Sequence, residues 1–171
     1  FLIAGESPQA MMVNVSPEDA AFFFANRRSH GFNTVWINLL CRKGTGGRAD
    51  GTTYDGIRPF TTNADLGTPN DAYFSRCERI VELAAESEFL VLLDPCETID
   101  HLVVMTGNGP EKCRAFGRYL GRRFKRFDNL AWMSGNDWDM RISMILQEQM
   151  SQCSNIPFWN PAPKNLTTRS N

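Results

Sequence analysis

Thr34-Val35-Trp36-Ile37-Asn38-Leu39-Leu40 is the stretch on which the fold turns. It is apolar or β-branched almost throughout, without the strict alternation of a half-exposed strand, and reads as a strand covered on both faces, as in parallel sheets. A helix is expected before it. Ser16-Pro17-Glu18-Asp19 combines an N-cap, a proline at the first helical position and acids in the first turn. That helix should run to about Gly31, whose missing Cβ suits a C-terminal cap. Further upstream, Phe1-Leu2-Ile3 reads as the tail of a first strand.

Downstream, residues 41–69 are polar and glycine-rich, with Gly44-Thr45-Gly46-Gly47 and Tyr54-Asp55-Gly56 among them. Ordinary βα connections take only about 2–6 residues, so a loop this long points to function. Tyr73, Cys77, Ile80, Val81 and Ala84 then fall at helical spacing. Phe89-Leu90-Val91-Leu92-Leu93 is a third buried strand, ended by Asp94-Pro95. Pro110 is expected to open another helix with Cys113, Phe116, Leu120 and Phe124 inward and Arg118, Arg122, Arg123, Lys125 and Arg126 on a solvated face. Leu130-Ala131-Trp132-Met133-Ser134 is the fourth strand. Ile142, Ile145, Leu146 and Gln149 suit one more helix, and Pro157, Pro161 and Pro163 break the remainder into loop.

Strands alternating with helices predict an α/β fold around a parallel sheet. Four to five βα units correspond to about the first half of a (β/α)8 TIM barrel, whose usual length is about 250 residues. Residues 1–171 are therefore expected to be the N-terminal half of such a barrel, a fragment that begins in mid-strand at Phe1 rather than at a Met. A half-barrel exposes strand edges, so the missing half or a partner chain is expected to cover them.

Composition narrows the function. The chain has 171 residues, 42% hydrophobic and 22% charged, with a formal net charge of -1. Such a composition argues against disorder, and no excess of basic residues offers a surface for nucleic acid or an anionic membrane. No apolar run approaches the roughly 20 residues of a membrane-spanning helix. The five cysteines include no C-x-x-C pair and there are only two histidines, so neither a zinc site nor any other metal or cofactor is expected; most of the thiols read as small buried apolar groups. Gly44-Thr45-Gly46-Gly47 lacks the Lys-Ser/Thr ending of a phosphate-binding loop and reads as turn chemistry.

In a parallel βα array the ligand face is built from strand C-termini and the loops after them. Those positions are polar here: Glu6 after the first strand, Asn38 at the end of the second, Asp94 and Glu97 after the third, and Asn136 and Asp137 after the fourth. Carboxylates from separate strands converging on one rim suit glycosidic bond cleavage, in which one acid protonates the leaving oxygen and another attacks or activates water. Trp36, Trp132 and Trp138 offer flat faces for sugar rings. Each group also has a plainer role: Asn136 or Asp137 as a helix N-cap, Trp36 and Trp132 as core, His101 as a loop hydrogen-bonding residue. A sugar-binding module that does not hydrolyse fits the same residues, as does a truncated, inactive product. A doubly wound flavodoxin-like domain is a further alternative, though the first βα loop lacks its glycine pattern.

Seven segments in order carry a resemblance: 1–8 (Phe1-Leu2-Ile3-Ala4-Gly5-Glu6-Ser7-Pro8), 31–39, 46–51, 54–57, 59–62, 93–98 and 132–137 (Trp132-Met133-Ser134-Gly135-Asn136-Asp137). Together they resemble the apiosidase-like glycoside hydrolase family, formerly a domain of unknown function and often fused to a collagen-binding-type domain. The resemblance covers residues 1–138, and 139–171 diverge. It implies a TIM-barrel hydrolase of the large retaining clan, with the proton donor after the fourth strand and the nucleophile after the seventh. In that clan an Asn precedes the acid/base, and Asn136-Asp137 fits the pair with Asp in place of the more usual Glu. The resemblance thus implies Asp137 as acid/base and Asn136 as a contact to the sugar hydroxyl beside the anomeric carbon, with Glu97, Asp94, Asn38 and Glu6 as sugar-binding or supporting groups. The family commonly has Asp where Glu6 stands and an aromatic where Gln9 stands. No counterpart of the nucleophile is found, so the fragment alone is expected to be inactive toward a carbohydrate substrate. The compartment stays open, although relatives that digest polysaccharide are usually secreted.

Overall fold

A computed structural model describes residues 2–96, 98–133 and 158–159. It contains one parallel sheet of β1 (Gly5–Glu6), β2 (Thr34–Asn38), β3 (Leu90–Asp94), β4 (Leu130–Met133) and β5 (Phe158–Trp159), side by side in chain order. Every neighbouring pair is parallel. A doubly wound sheet reverses direction at a switch point, whereas a barrel adds each strand beside the last. The sequential order is therefore that of the barrel type and sets aside the flavodoxin-like alternative.

The helices are α1 (Met11–Asn14), α2 (Pro17–Ser29), α3 (Asp71–Glu86) and α4 (Thr98–Phe124). Ser16 caps α2 as expected: its Oγ accepts from the Asp19 amide at 3.0 Å, and Pro17 takes the first helical position. Gly31 follows the helix at φ 84°. Asn70 caps α3, accepting from the Ala72 amide at 3.2 Å.

Register sorts the sheet into two faces. Val35, Ile37, Val91, Leu93, Leu130 and Trp132 share one and are almost wholly buried. The helix layer covers this face, with Phe124 of α4 meeting Trp132 edge-on at 5.8 Å between ring centres. The expected inward residues of α3, Tyr73, Cys77, Ile80, Val81 and Ala84, are all buried. Phe74 carries the contact on to α4, its ring 6.0 Å from Phe116 and 5.2 Å from Tyr119. Such pairs add about 0.5–1.5 kcal/mol each beyond the area they bury. The opposite face, which in a closed barrel is the interior, carries Thr34, Trp36, Asn38, Leu90, Leu92, Asp94, Ala131 and Met133.

Several expectations are corrected. The helix expected to begin at Pro110 is the second limb of α4; residues 98–108 form a first limb, and the two meet at Gly109, whose φ of 72° and ψ of 170° are not helical. His101 therefore sits on a helix and is buried, not in a loop. The basic face of α4 is only partly solvated. Arg123 donates to Glu78 at 2.9 Å and Asp71 at 2.6 Å, and Arg126 just past the helix to Glu82 at 2.6 Å, fastening α4 and the turn after it to α3. Phe158–Trp159 pairs with β4 where proline-broken loop was expected. The expected helix around Ile142–Gln149 lies outside the described residues.

Cys41, Cys77, Cys96 and Cys113 are buried, as their expected apolar role requires. Among the described residues no helix is long and apolar enough to cross a membrane, and no cluster of three or more His, Cys, Asp or Glu side chains is placed to hold a metal ion.

Candidate active site

Asn38 and Asp94 close β2 and β3 as direct register partners on the interior-type face, both with no solvent exposure. The backbone continues the pairing one step further, the Leu39 amide donating to the Asp94 carbonyl at 2.7 Å. The Asn38 amide donates to the Gln9 carbonyl at 3.0 Å, which straps the connection after β1 over the end of β2. Tyr73 reaches up from the first turn of α3, its hydroxyl donating to the Leu39 carbonyl at 2.8 Å. Complete burial pushes the Tyr73 phenol well above its usual range, so it remains a neutral donor.

Neither atom of the Asn38 carboxamide has a hydrogen-bond partner among the described residues, and the same holds for Trp36 Nε1 two residues earlier on the same face. A buried polar group left unpaired costs about 1–3 kcal/mol. A core position would normally be apolar there. The Asp94 carboxylate accepts from the Cys96 amide at 3.3 Å.

Glu6 lies elsewhere. Because Gly5 pairs with Thr34 and Glu6 with Val35, alternation turns Glu6 to the helix side of the sheet. There its two carboxylate oxygens meet Arg27 of α2, one at 3.2 Å from Nη2 and the other at Nε. The structure thus joins Asn38 and Asp94 and separates Glu6 from them. Glu97, Asn136 and Asp137 lie outside the described residues, as does Trp138.

A cavity of about 150 Å³ opens between the long β2–α3 connection and the first limb of α4. Asp50, Gly51, Arg58, Pro59 and Phe60 form one wall, and His101 and Val104 form the other, with Arg42 between them. The hydroxyl and amide of Thr52 hold the Asp50 carboxyl below its ordinary range, with a smaller contribution from the nearby Arg58. Nothing in the sequence reading singled out Arg42, Arg58 or Asp50 as wall residues. The length of the connection was the available signal.

A sequentially ordered parallel sheet with a polar C-terminal end is the architecture of the TIM barrel. Solved structures agree on the fold. A glycoside hydrolase superposes with a TM-score of 0.72 at 16% identity, covering 91% of this chain and 34% of its own. A family 5 glycoside hydrolase from Bacteroides vulgatus gives 0.71 at 16% identity, covering 91% and 33%. Thermotoga maritima Cel5A, solved in complex with mannotriose, gives 0.54 at 15% identity over 85% and 48%. The chain thus spans about a third of the length of the first two. No curated protein sequence matches it significantly. The apiosidase-like catalytic-domain model matches residues 1–169, and the chain belongs to that glycoside hydrolase family.

Proposed function

We propose that this chain is part of a retaining glycoside hydrolase in which Asp137 is the acid/base. The observation that carries this reading is the family match over residues 1–169, on a sheet whose second and third strands end in adjacent buried polar groups. Asp137 protonates the departing glycosidic oxygen and then, as carboxylate, activates the water that releases the sugar. Asn136 hydrogen-bonds the hydroxyl beside the anomeric carbon. Asn38, Asp94 and Glu97 hold the sugar or the groups that touch it. We assign Glu6 to the fold, because its carboxylate is engaged by Arg27.

A retaining reaction needs a second carboxyl about 5–5.5 Å from the first. We assign it to a later strand outside these residues, and residues 1–171 alone are then inactive. Leu2 and Ile3 beside β1, and Phe22 on α2, are exposed apolar groups that suit closure of the remaining barrel, or of a partner chain, against this edge.

The test uses the open reading frame extended to a second barrel half and a panel of paired 4-nitrophenyl and alkyl glycosides that includes an apioside. Asp137→Asn should lower kcat on substrates with poor leaving groups by about 10²–10⁴-fold while sparing the first step on activated aryl glycosides. Equal survival on both classes refutes the assignment of Asp137. Oligosaccharide binding by calorimetry with no turnover in the extended protein would move the reading to a non-catalytic binding module.

A further inference from the structure

The long connection between β2 and α3 is held by one guanidinium. Arg76 of α3 is almost fully covered, with its side chain 8% exposed. Its Nη1 donates to both carboxylate oxygens of Asp55, at 2.9 and 2.8 Å, and its Nη2 donates to the Val15 carbonyl at 3.1 Å. Its planar group lies 4.6 Å from the centre of the Tyr54 ring. One side chain therefore ties three segments: α3, the tip of the connection and the junction between α1 and α2.

The tip it grips is a closed unit. The Thr53 hydroxyl donates to Asp55 at 2.6 Å and accepts from the Ile57 amide at 2.8 Å. The Tyr54 amide donates to the Val13 carbonyl at 2.7 Å. On either side of this unit stand the cavity-lining residues, Asp50-Gly51 before it and Arg58-Pro59-Phe60 after it. Arg76 touches none of the space itself, yet whatever moves residues 52–57 moves both flanks of that wall.

We propose that Arg76 is a positioning residue that fixes the cavity wall, and that the cavity is a saccharide-binding subsite. The second half of this statement rests on the glycosidase reading; the first does not. A planar, bidentate group suits the task, because lysine has no fork to span a carboxylate and a backbone carbonyl at once. Loss of the clamp weakens substrate binding without changing the bond-breaking step, since the groups assigned to chemistry follow β4.

The test compares Arg76→Met, Arg76→Lys and the control Arg79→Met, whose arginine bridges Glu82 and Glu86 on the exposed side of α3. Amide hydrogen exchange at residues 51–57 should accelerate at least tenfold in Arg76→Met, less in Arg76→Lys, and not in the control, with β2 and β3 unchanged. In the extended protein, KM for the turned-over aryl glycoside should rise about tenfold and kcat stay within twofold. Unchanged exchange at residues 51–57, acceleration spread evenly over β2 and β3, or a fall in kcat at constant KM overturns the proposal. Should Arg76→Met fail to fold, Asp55→Asn is read in its place, with the same direction and a smaller size. If the parent cleaves nothing in the panel, the glycosidase reading and the subsite fall together, and the exchange data alone decide the clamp.

Discussion

Asn38 concentrates the tension between folding and function in one side chain. Its carboxamide is buried without partners among the described residues, in a sheet position with no solvent exposure. Asn38→Leu should therefore raise the unfolding free energy by about 1 kcal/mol in urea melts, because the unpaired amide is removed and apolar contact added. It should also reduce turnover in the extended protein. A loss of stability would mean that the carboxamide has partners in the folded chain. Asp55 offers a pH test at the same scale. The Thr53 hydroxyl first, then Arg76, hold its carboxyl below the ordinary value. A folded value below the unfolded one, which is about 3.9, stabilises fully above the unfolded value, and that contribution is lost as pH falls through the folded one. The urea midpoint of the natural protein should thus drop between pH 5 and 2.5 more steeply than that of Asp55→Asn, and parallel curves would count against the clamp.

At the level of elements, α4 teaches the most. Its second limb was readable from Pro110 and from Cys113, Phe116, Leu120 and Phe124, the last four of which are buried. The first limb was missed although His101, Val104 and Met105 stand at helical spacing and are its buried side. The β-branched pair Val103-Val104 and a Gly107 in the last turn weaken the local helical signal, and only packing beneath the β2–α3 connection restores it. Gly109 then needs a conformation open almost only to glycine, while Pro110 forbids a continuous helix. Gly109→Ala should lower stability by about 1–3 kcal/mol in thermal unfolding, and an unchanged melting temperature would show that the junction relaxes. β5 escaped for the opposite reason: two residues among Pro157 and Pro161 carry no period, and their strand character comes from pairing with β4. Arg123 shows that a run of like charges is not read correctly in isolation, because the acids that neutralise it lie on α3, about 45 residues away.

For the molecule as a whole, the barrel type was legible because strands buried on both faces are rich in Val, Ile and Leu, and because the starts of α2 and of the second limb of α4 carry a cap or a proline. The candidate site was legible only in part. Strand ends can be located from sequence, but which face an end residue takes depends on the pairing of one residue with the next, and a single step reverses it. Asn38 and Asp94 fall on the interior-type face by that parity and Glu6 falls on the other. The cavity brings together residues far apart in the chain, Arg42 and Arg58 from the β2–α3 connection and His101 from α4, which no local pattern encodes.

The four buried thiols have a practical consequence. Cys41 and Cys77 sit beneath the strand ends and α3, and Cys96 and Cys113 lie around Met105 under α4. None can meet an alkylating reagent while its own layer stays shut. Pulse labelling with iodoacetamide, resolved peptide by peptide, would time the opening of each layer separately. If the two pairs become reactive together, the helices on both flanks of the third strand open as one cooperative unit; if Cys96 and Cys113 react first, α4 is the part that lets go.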